Sequence, residues 1–393
     1  MSRTLSKVQQ KMKVVAFFNA FTQGLSGGDV RFMEVMKRLE KQGDIELTVV
    51  TSKLGKELCI KRGLNAVFKV TTQECKIGNV VLLYARRILS ALLLDLDIKE
   101  GTVFYSGSQF LPDVLPIYIL KSRKTNVKWV QVIFHLIPLP TLREGSFLTN
   151  LTSFSEQIPS FHLIRQKADS IFVLNNLVNS QLVKLGFSKD KIYVTGAGIN
   201  LSQIDEIQRA AGVDYDACFL GRLNPAKGIF DLVEIWKLVV SKKKSAKLAI
   251  IYVGFKDVES TLAKRIKEEN LGSNVFMLPL TEKEALSVVK SSSIFVFPSH
   301  EEGWGIAITE AMACKLPVVA YNLPVYKEIF GQDIITVRLK DFESFSNEIV
   351  NLLDDEGKRK ILGEKGRARV TMYDWTIVAA DELSLIKKVL LSK

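Results

Sequence analysis

Two carboxylates, Glu302 and Glu310, stand eight positions apart in the run PSHEEGWGIAITEAMACKLPVVA, Pro298 to Ala320. Gly303 and Gly305 follow the first of them, and glycine, lacking a Cβ, lets backbone approach a ligand closely. The pattern from Gly305 to Ala313 predicts a helix. Its first-turn N–H groups lack intrahelical partners, so they and the helix dipole favour an anion such as phosphate. Glu310 sits among Ile306, Ile308, Ala311 and Ala313. A carboxylate in so apolar a helix is costly unless something polar meets it, and a pair of sugar hydroxyls would do so. An isolated glutamate is usually a solvated surface charge. Here the flanks argue otherwise: SIFVFPS (Ser293 to Ser299) and LPVVAYN (Leu316 to Asn322) read as buried strands. Strand, glycine loop, helix and strand make a βαβ unit with the acidic loop at a strand's C-terminal end, where open α/β sheets bind ligands.

A second pair of charged groups lies in GRLNPAKG, Gly221 to Gly228, after the strand DACFLG. Arg222 offers a rigid fork of donors and Lys227 a mobile point charge, a combination suited to two phosphates. Such a pair stabilises charge building up on a departing diphosphate. Alone, an Arg and a Lys beside a turn are most often solvated; these stand in the same half as Glu302, with 80 positions between Arg222 and it. In the first half, GLSGGDVRF places Gly27 and Gly28 before a helix, with Ser26 and Asp29 as candidate caps. The spaced third glycine and the acidic partner of a dinucleotide fingerprint are missing, so by its residues this is a turn. His135 ends the strand KWVQVIFH before LIPLP; a lone histidine beside apolar residues is usually a core side chain. His162 and His300 carry no supporting pattern. Asp95-Leu96-Asp97, a spacing that elsewhere holds a metal, opens a polar connection and reads as structural. Cys59, Cys75, Cys218 and Cys314 lack metal-ligand spacing, and three histidines leave little material for a zinc site. Reduced thiols in a cytoplasm are the simplest account.

The strings E-G-W-G, ITEAMA and LPVVA together resemble the signature of retaining nucleotide-sugar glycosyltransferases of GT-B architecture (group 1, or family 4 type). That signature is two glutamates separated by seven residues, an E-G-F-G loop, an E-A-M-A helix and then P-V-V. The resemblance is strong over nearly the whole second half and weak over the first. It implies that Arg222 and Lys227 bind the donor diphosphate, that Glu310 grips the ribose diol and that Glu302 and His135 meet the sugar hydroxyls. It also implies that Gly303, Trp304, Gly305 and Ile306 lie at the donor, with Gly27 and Gly28 facing the cleft. The donor is then a UDP- or GDP-linked sugar, with no cofactor and no metal required. Three departures stand out: Lys315 where a glycine is usual, Asn322-Leu323-Pro324-Val325 where a glycine pair, Pro and acidic residue are common, and Asn175 where serine is frequent.

The chain must hold these groups in two α/β halves, since 393 residues exceed one ordinary domain. Strand patterns begin at Lys13, Ile45, Thr102, Lys128, Ser170 and Lys191, then at Asp216, Leu248, Asn274, Ser293, Leu316 and Ile334. Helical patterns separate them, such as Val30 onward with Phe32, Met33, Val35, Met36 and Leu39 on one face. This alternation predicts α/β architecture with parallel sheets covered on both faces. The expected domains are residues 1–200 on the acceptor side and 201–374 on the donor side. A terminal helix, 375–393, crosses back to the first domain in the resembled family.

Charge is divided unevenly. Residues 1–200 carry 27 Lys/Arg against 15 Asp/Glu, while 201–393 carry 27 of each, so the net +12 belongs to the first half. A solvated surface, an anionic membrane, a phosphate-bearing acceptor and nucleic acid all accommodate that excess. Nucleic acid leaves the acidic loop and the neutral second half without a purpose. The apolar stretch Val80 to Leu94, broken only by Arg86 and Arg87, reads as a buried core helix or one lying at a membrane interface. No apolar run reaches membrane-spanning length and the N-terminus lacks a signal-peptide core, so a cytoplasmic chain, free or peripheral on the membrane, is expected. A sugar-nucleotide epimerase or a phosphorylase shares this architecture and stays open, as do the sugar, the base and the acceptor (a glycan, a lipid-linked molecule or a small metabolite).

Overall fold

Thirteen short runs rich in Val, Ile and Phe, each closed by a loop and followed by a helical stretch, leave only one economical arrangement: parallel strands with crossover helices on both faces. The computed structural model describes residues 11–391 apart from 22–24, 74–78, 125, 145–146, 213 and 254–255. Cys75 and the first ten residues, weighed above, lie outside the described residues.

The first sheet comprises β1 (Met12–Phe18), β2 (Ile45–Thr51), β3 (Val67–Val70), β4 (Val103–Ser106), β5 (Lys128–Ile133), β6 (Ser170–Val173) and β7 (Ile192–Val194), in the spatial order β3-β2-β1-β4-β5-β6-β7. The second comprises β8 (Tyr215–Arg222), β9 (Leu248–Val253), β10 (Val275–Leu278), β11 (Ser292–Phe297), β12 (Val318–Tyr321) and β13 (Ile335–Val337), ordered β10-β9-β8-β11-β12-β13. Every pairing is parallel; Val14, for example, faces Leu47 on one side and Val103 on the other. The order in which strands are added reverses in each sheet, between β1 and β4 and between β8 and β11. These are the two switch points where a crevice opens beyond the strand ends.

The expected strands are present, and one more, β3, was not expected. Its four residues are mostly half-exposed at the sheet edge, so no buried apolar run advertises them. Among the described residues no helix is long and apolar enough to cross a membrane.

Two chain segments connect the sheets side by side. Ile199 pairs with Asp374 in an isolated parallel bridge, with Ile199 N donating to Tyr373 O at 2.8 Å and Trp375 N to Ile199 O at 2.9 Å. The helix Trp375–Leu391 then lies on the helix Gly27–Lys41 of the first sheet's layer. The contact is polar at its centre. Arg31, buried, forms an ion pair with buried Glu382, donates through Nε to Gly196 O at 2.7 Å and through Nη2 to Thr195 Oγ1 at 2.7 Å. Tyr105 OH completes the cluster by donating to Glu382 at 2.9 Å. A buried charge is tolerable only when paired and hydrogen-bonded in this way.

Candidate active site

The second sheet's switch point builds half of the site. Arg222 ends β8, and the turn after it is held by Asn224, whose side chain accepts from Ala226 N at 2.9 Å. Gly228 takes a left-handed φ of +70°, and a Cβ there would lie 1.8 Å from Pro298 O. The turn is therefore pressed onto the loop after β11, and that contact carries Lys227 to the acidic run. Lys227 Nζ lies 2.5 Å from Glu302 Oε1, and the Ser299 hydroxyl is 3.3 Å from the same oxygen. Gly305, at φ +102°, starts the helix Ile306–Ala313, and the Cβ of any other residue there would crowd Tyr326 and Phe330.

The first sheet contributes the facing wall. His135 follows β5; Gln109 fixes that exit by donating to His135 O at 2.9 Å while accepting from Phe134 N at 3.1 Å. The imidazole stands against the acidic loop: a Cβ on Gly303 would come within 3.5 Å of its Nδ1. Burial holds its pKa below the ordinary histidine value, Glu301 and Glu302 pull it up, and Lys227 and Arg143 push it down. It is thus neutral near pH 7, able to donate to one hydroxyl and accept from another.

The glycine pair brings the walls together. Ser26 caps the helix Gly27–Lys41 reciprocally, accepting from Asp29 N at 3.3 Å while its own N–H donates to Asp29 at 2.7 Å. A Cβ on Gly27 would meet Ile306 Cδ1 at 3.1 Å, and one on Gly28 would overlap the Phe134 ring at 2.6 Å. Burial raises the Asp29 carboxyl, offset by its bonds to Ser26 and by the charge of Arg222 facing it across the gap.

Glu310 occupies a neighbouring crevice lined by Arg62 and Glu34 of the first domain, Glu282 of the second and Asn200 of the connection. Burial pushes this carboxyl up to about 8, Glu282 adds to the rise and Arg62 opposes it. Among the described residues no hydrogen-bond donor reaches it of the kind that would hold a carboxylate ionised.

Several expectations change. Trp304 is buried with its indole against Gly196 and Tyr373, at a ring-centroid distance of 5.0 Å from the latter. Its side chain therefore packs the interdomain connection. His300, for which the sequence offered nothing, lies with Nε2 2.7 Å from Asp231, which also accepts from Tyr321 OH at 2.9 Å. The connection after β5 bridges the domains: Arg143 Nε donates to Glu301 at 2.8 Å and Lys340 Nζ to Glu144 at 2.8 Å. Arg62 and Glu282 form a further ion pair across the gap. None of these pairs has a sequence signal, because the partners lie 158, 196 and 220 positions apart.

The departures also find physical roles. Asn175 caps the helix Asn176–Lys184 through Val178 N at 2.9 Å and donates across the gap to Gly303 O at 2.7 Å. Lys315 adopts φ +63°, the conformation a glycine takes without strain, and pairs with Glu364 at 2.9 Å. Asn322 N donates to Val337 O at 2.7 Å just before the short helix Pro324–Ile329. Asp97 pairs with Lys13 at 2.5 Å and Lys99 at 3.1 Å and takes no part in the site. His162 is exposed beside Gln166. Cys59, Cys218 and Cys314 are unpaired thiols.

Two parallel-sheet Rossmann-like domains facing across a cleft define the GT-B class of fold. Comparison with known proteins agrees: the structure of Alr3699/HepE from Anabaena aligns with a TM-score of 0.73 at 15% identity, covering 96% of this chain and all of that one. Residues 202–369 match the model of the glycosyl transferases group 1 family. Among relatives, the capsular polysaccharide biosynthesis glycosyltransferase CapM of Staphylococcus aureus is 30% identical over 157 residues, 39% of this chain and 40% of that protein. The uncharacterized glycosyltransferase MJ1069 of Methanocaldococcus jannaschii is 22% identical over 385 residues, 91% of this chain and 93% of that protein. The chain thus spans well under two thirds of the CapM protein it matches, and nearly the full length of the archaeal one.

Proposed function

We propose that the chain transfers a sugar from a UDP- or GDP-linked donor to a hydroxyl acceptor, with retention at the anomeric carbon. The observation that carries this reading is the meeting of Lys227, Glu302 and His135 between the facing C-terminal strand edges of two sheets. The Anabaena neighbour was solved with UDP and glucose, which supports a nucleotide-sugar donor.

In this reading the diphosphate lies over the N–H groups of Gly303 to Ile306 and exchanges bonds with Arg222 and Lys227. Glu310 takes the ribose diol. Glu302, already tied to Lys227 and Ser299, is suited to accept from sugar hydroxyls rather than to attack the anomeric carbon. That disfavours a double displacement through a glycosyl-enzyme. In a front-face reaction the bond from anomeric carbon to diphosphate oxygen breaks as the acceptor oxygen bonds that carbon. The acceptor proton passes to the departing phosphate. Arg222 and Lys227 neutralise the diphosphate, so neither a metal nor a cofactor is needed. The domains, bridged by Asn175, Arg143 and Arg62, exclude water and favour transfer over hydrolysis.

The test is incubation with a panel of UDP- and GDP-sugars, with and without hydroxyl acceptors, followed by NMR of the product anomer. Acceptor-dependent transfer with retention, unaffected by chelator, is expected. Epimerised donor without acceptor, phosphate-dependent release of sugar phosphate, or loss restored only by a divalent metal would each contradict the reading.

A further inference from the structure

The crevice beside Glu310 is too small for the nucleoside of the proposed donor. It measures about 30 Å³, room for a water or two. Its walls belong to both domains, and one ion pair ties them together here. Arg62 caps the C-terminal end of the helix Lys53–Lys61 in the first domain, and Glu282 opens the helix Glu282–Ser291 in the second. The guanidinium meets both carboxylate oxygens: Nη1 donates to Oε1 at 3.3 Å, and Nη2 pairs with Oε2. The Arg62 side chain is 14% exposed and that of Glu282 44%, so water can replace Arg62 on the glutamate but scarcely Glu282 on the arginine. Glu34 and Asn200, also in the walls, are held locally: Glu34 by Lys37 and Arg38, Asn200 as the cap of the helix Leu201–Glu206.

A ligand that widens this crevice must draw Arg62 and Glu282 apart, and breaking such a pair is tolerable only when each half is met again. The base decides whether it is. Guanine carries two acceptors, O6 and N7, on one edge, which suit an arginine fork. On the adjoining edge it carries two donors, N1–H and the N2 amino group, which suit a carboxylate. Uracil alternates acceptor, donor and acceptor, so the fork finds one oxygen at a time and the carboxylate is set beside a carbonyl oxygen. We propose that the donor is a guanosine diphosphate sugar whose base parts the pair, taking Arg62 on O6 and N7 and Glu282 on N1 and N2. The link between the domains then runs through the base, so recognising the nucleotide and seating one domain on the other are a single event. Glu310, in the same crevice, is left to the ribose. The choice of base presupposes the nucleotide-sugar donor proposed above.

The test is calorimetry of the full chain with GDP, UDP and inosine diphosphate, which lacks only the N2 amino group of GDP. GDP should bind about 10–100-fold tighter than UDP, with inosine diphosphate about 10-fold weaker than GDP. Wild-type affinities alone thus decide the base. In Glu282→Ala, GDP and inosine diphosphate should bind alike, because the group that reads N2 is gone. UDP binding as tightly as GDP, or a gap between GDP and inosine diphosphate that survives Glu282→Ala, would overturn the base assignment and leave the donor reading standing. Failure of both GDP and UDP to bind would overturn the two together.

Discussion

Replacing Glu310 by Gln should stabilise the ligand-free protein while weakening its hold on the donor, and the pH dependence of the first effect is fixed by the crevice. The carboxyl rises from an ordinary 4.5 to about 8. At about 1.4 kcal/mol per pH unit that is at most about 5 kcal/mol. The crevice opens to water, and a protein site of effective dielectric near 20 retains only part of this, about 1–2 kcal/mol. The folded value lies above the unfolded one, so the neutral acid favours the fold. That contribution is complete below pH 4.5 and is lost as pH rises through about 8. The glutamine variant carries no such loss. Melting curves of the two proteins should therefore nearly coincide around pH 5 and separate toward pH 9 by about 2–6 °C in favour of the variant. Donor affinity, measured by calorimetry at pH 9 where the carboxyl is ionised, should fall about 10–100-fold, because a charge-assisted bond to a diol is lost. A gap in melting temperature that does not change with pH would refute the burial argument, and undiminished affinity would remove Glu310 from the site.

Lys227→Ala should lower kcat by about 10²–10³, with Lys227→Arg recovering part; steady-state kinetics with wild-type values would dismiss it as a diphosphate ligand. Glu382→Ala strands the buried Arg31 guanidinium, and urea unfolding should show a loss of about 3–5 kcal/mol. Gly228→Ala forces a Cβ toward Pro298 O at a positive φ. It should cost at least about 2 kcal/mol in the same assay and reduce turnover by displacing Lys227 from Glu302.

The strand–glycine loop–helix–strand run was readable because all its parts are contiguous: the buried strand β11, the two glycines, Glu302 and Glu310 fall within one βαβ unit. Arg222 and Lys227 were readable only jointly with that run. The bridges Arg143–Glu301, Lys340–Glu144 and Arg62–Glu282 were not, since each joins residues on separate domains and no periodicity encodes them. The helix Val80–Leu93 was readable only as a choice between the core and a membrane interface. Apolar composition predicts burial, but two backbone carbonyls beyond β1 require a donor inside, and Arg87 supplies it. Leu83 and Ala91 are buried on the same face, while Val81, Leu82, Leu89 and Leu93 face outward. Trp304 deceives similarly, its place beside the acidic loop hiding the fact that Gly196 leaves room for the indole at the connection.

The Arg31–Glu382 pair gives the first domain a timetable. Its seven strands leave the ribosome by residue 194, yet the helix that neutralises its buried arginine is made nearly two hundred residues later. Until then Arg31 has Thr195 and Gly196 as partners but lacks its carboxylate. A chain stopped before Trp375 would therefore hold Arg31 inside its first domain without the carboxylate that pairs with it.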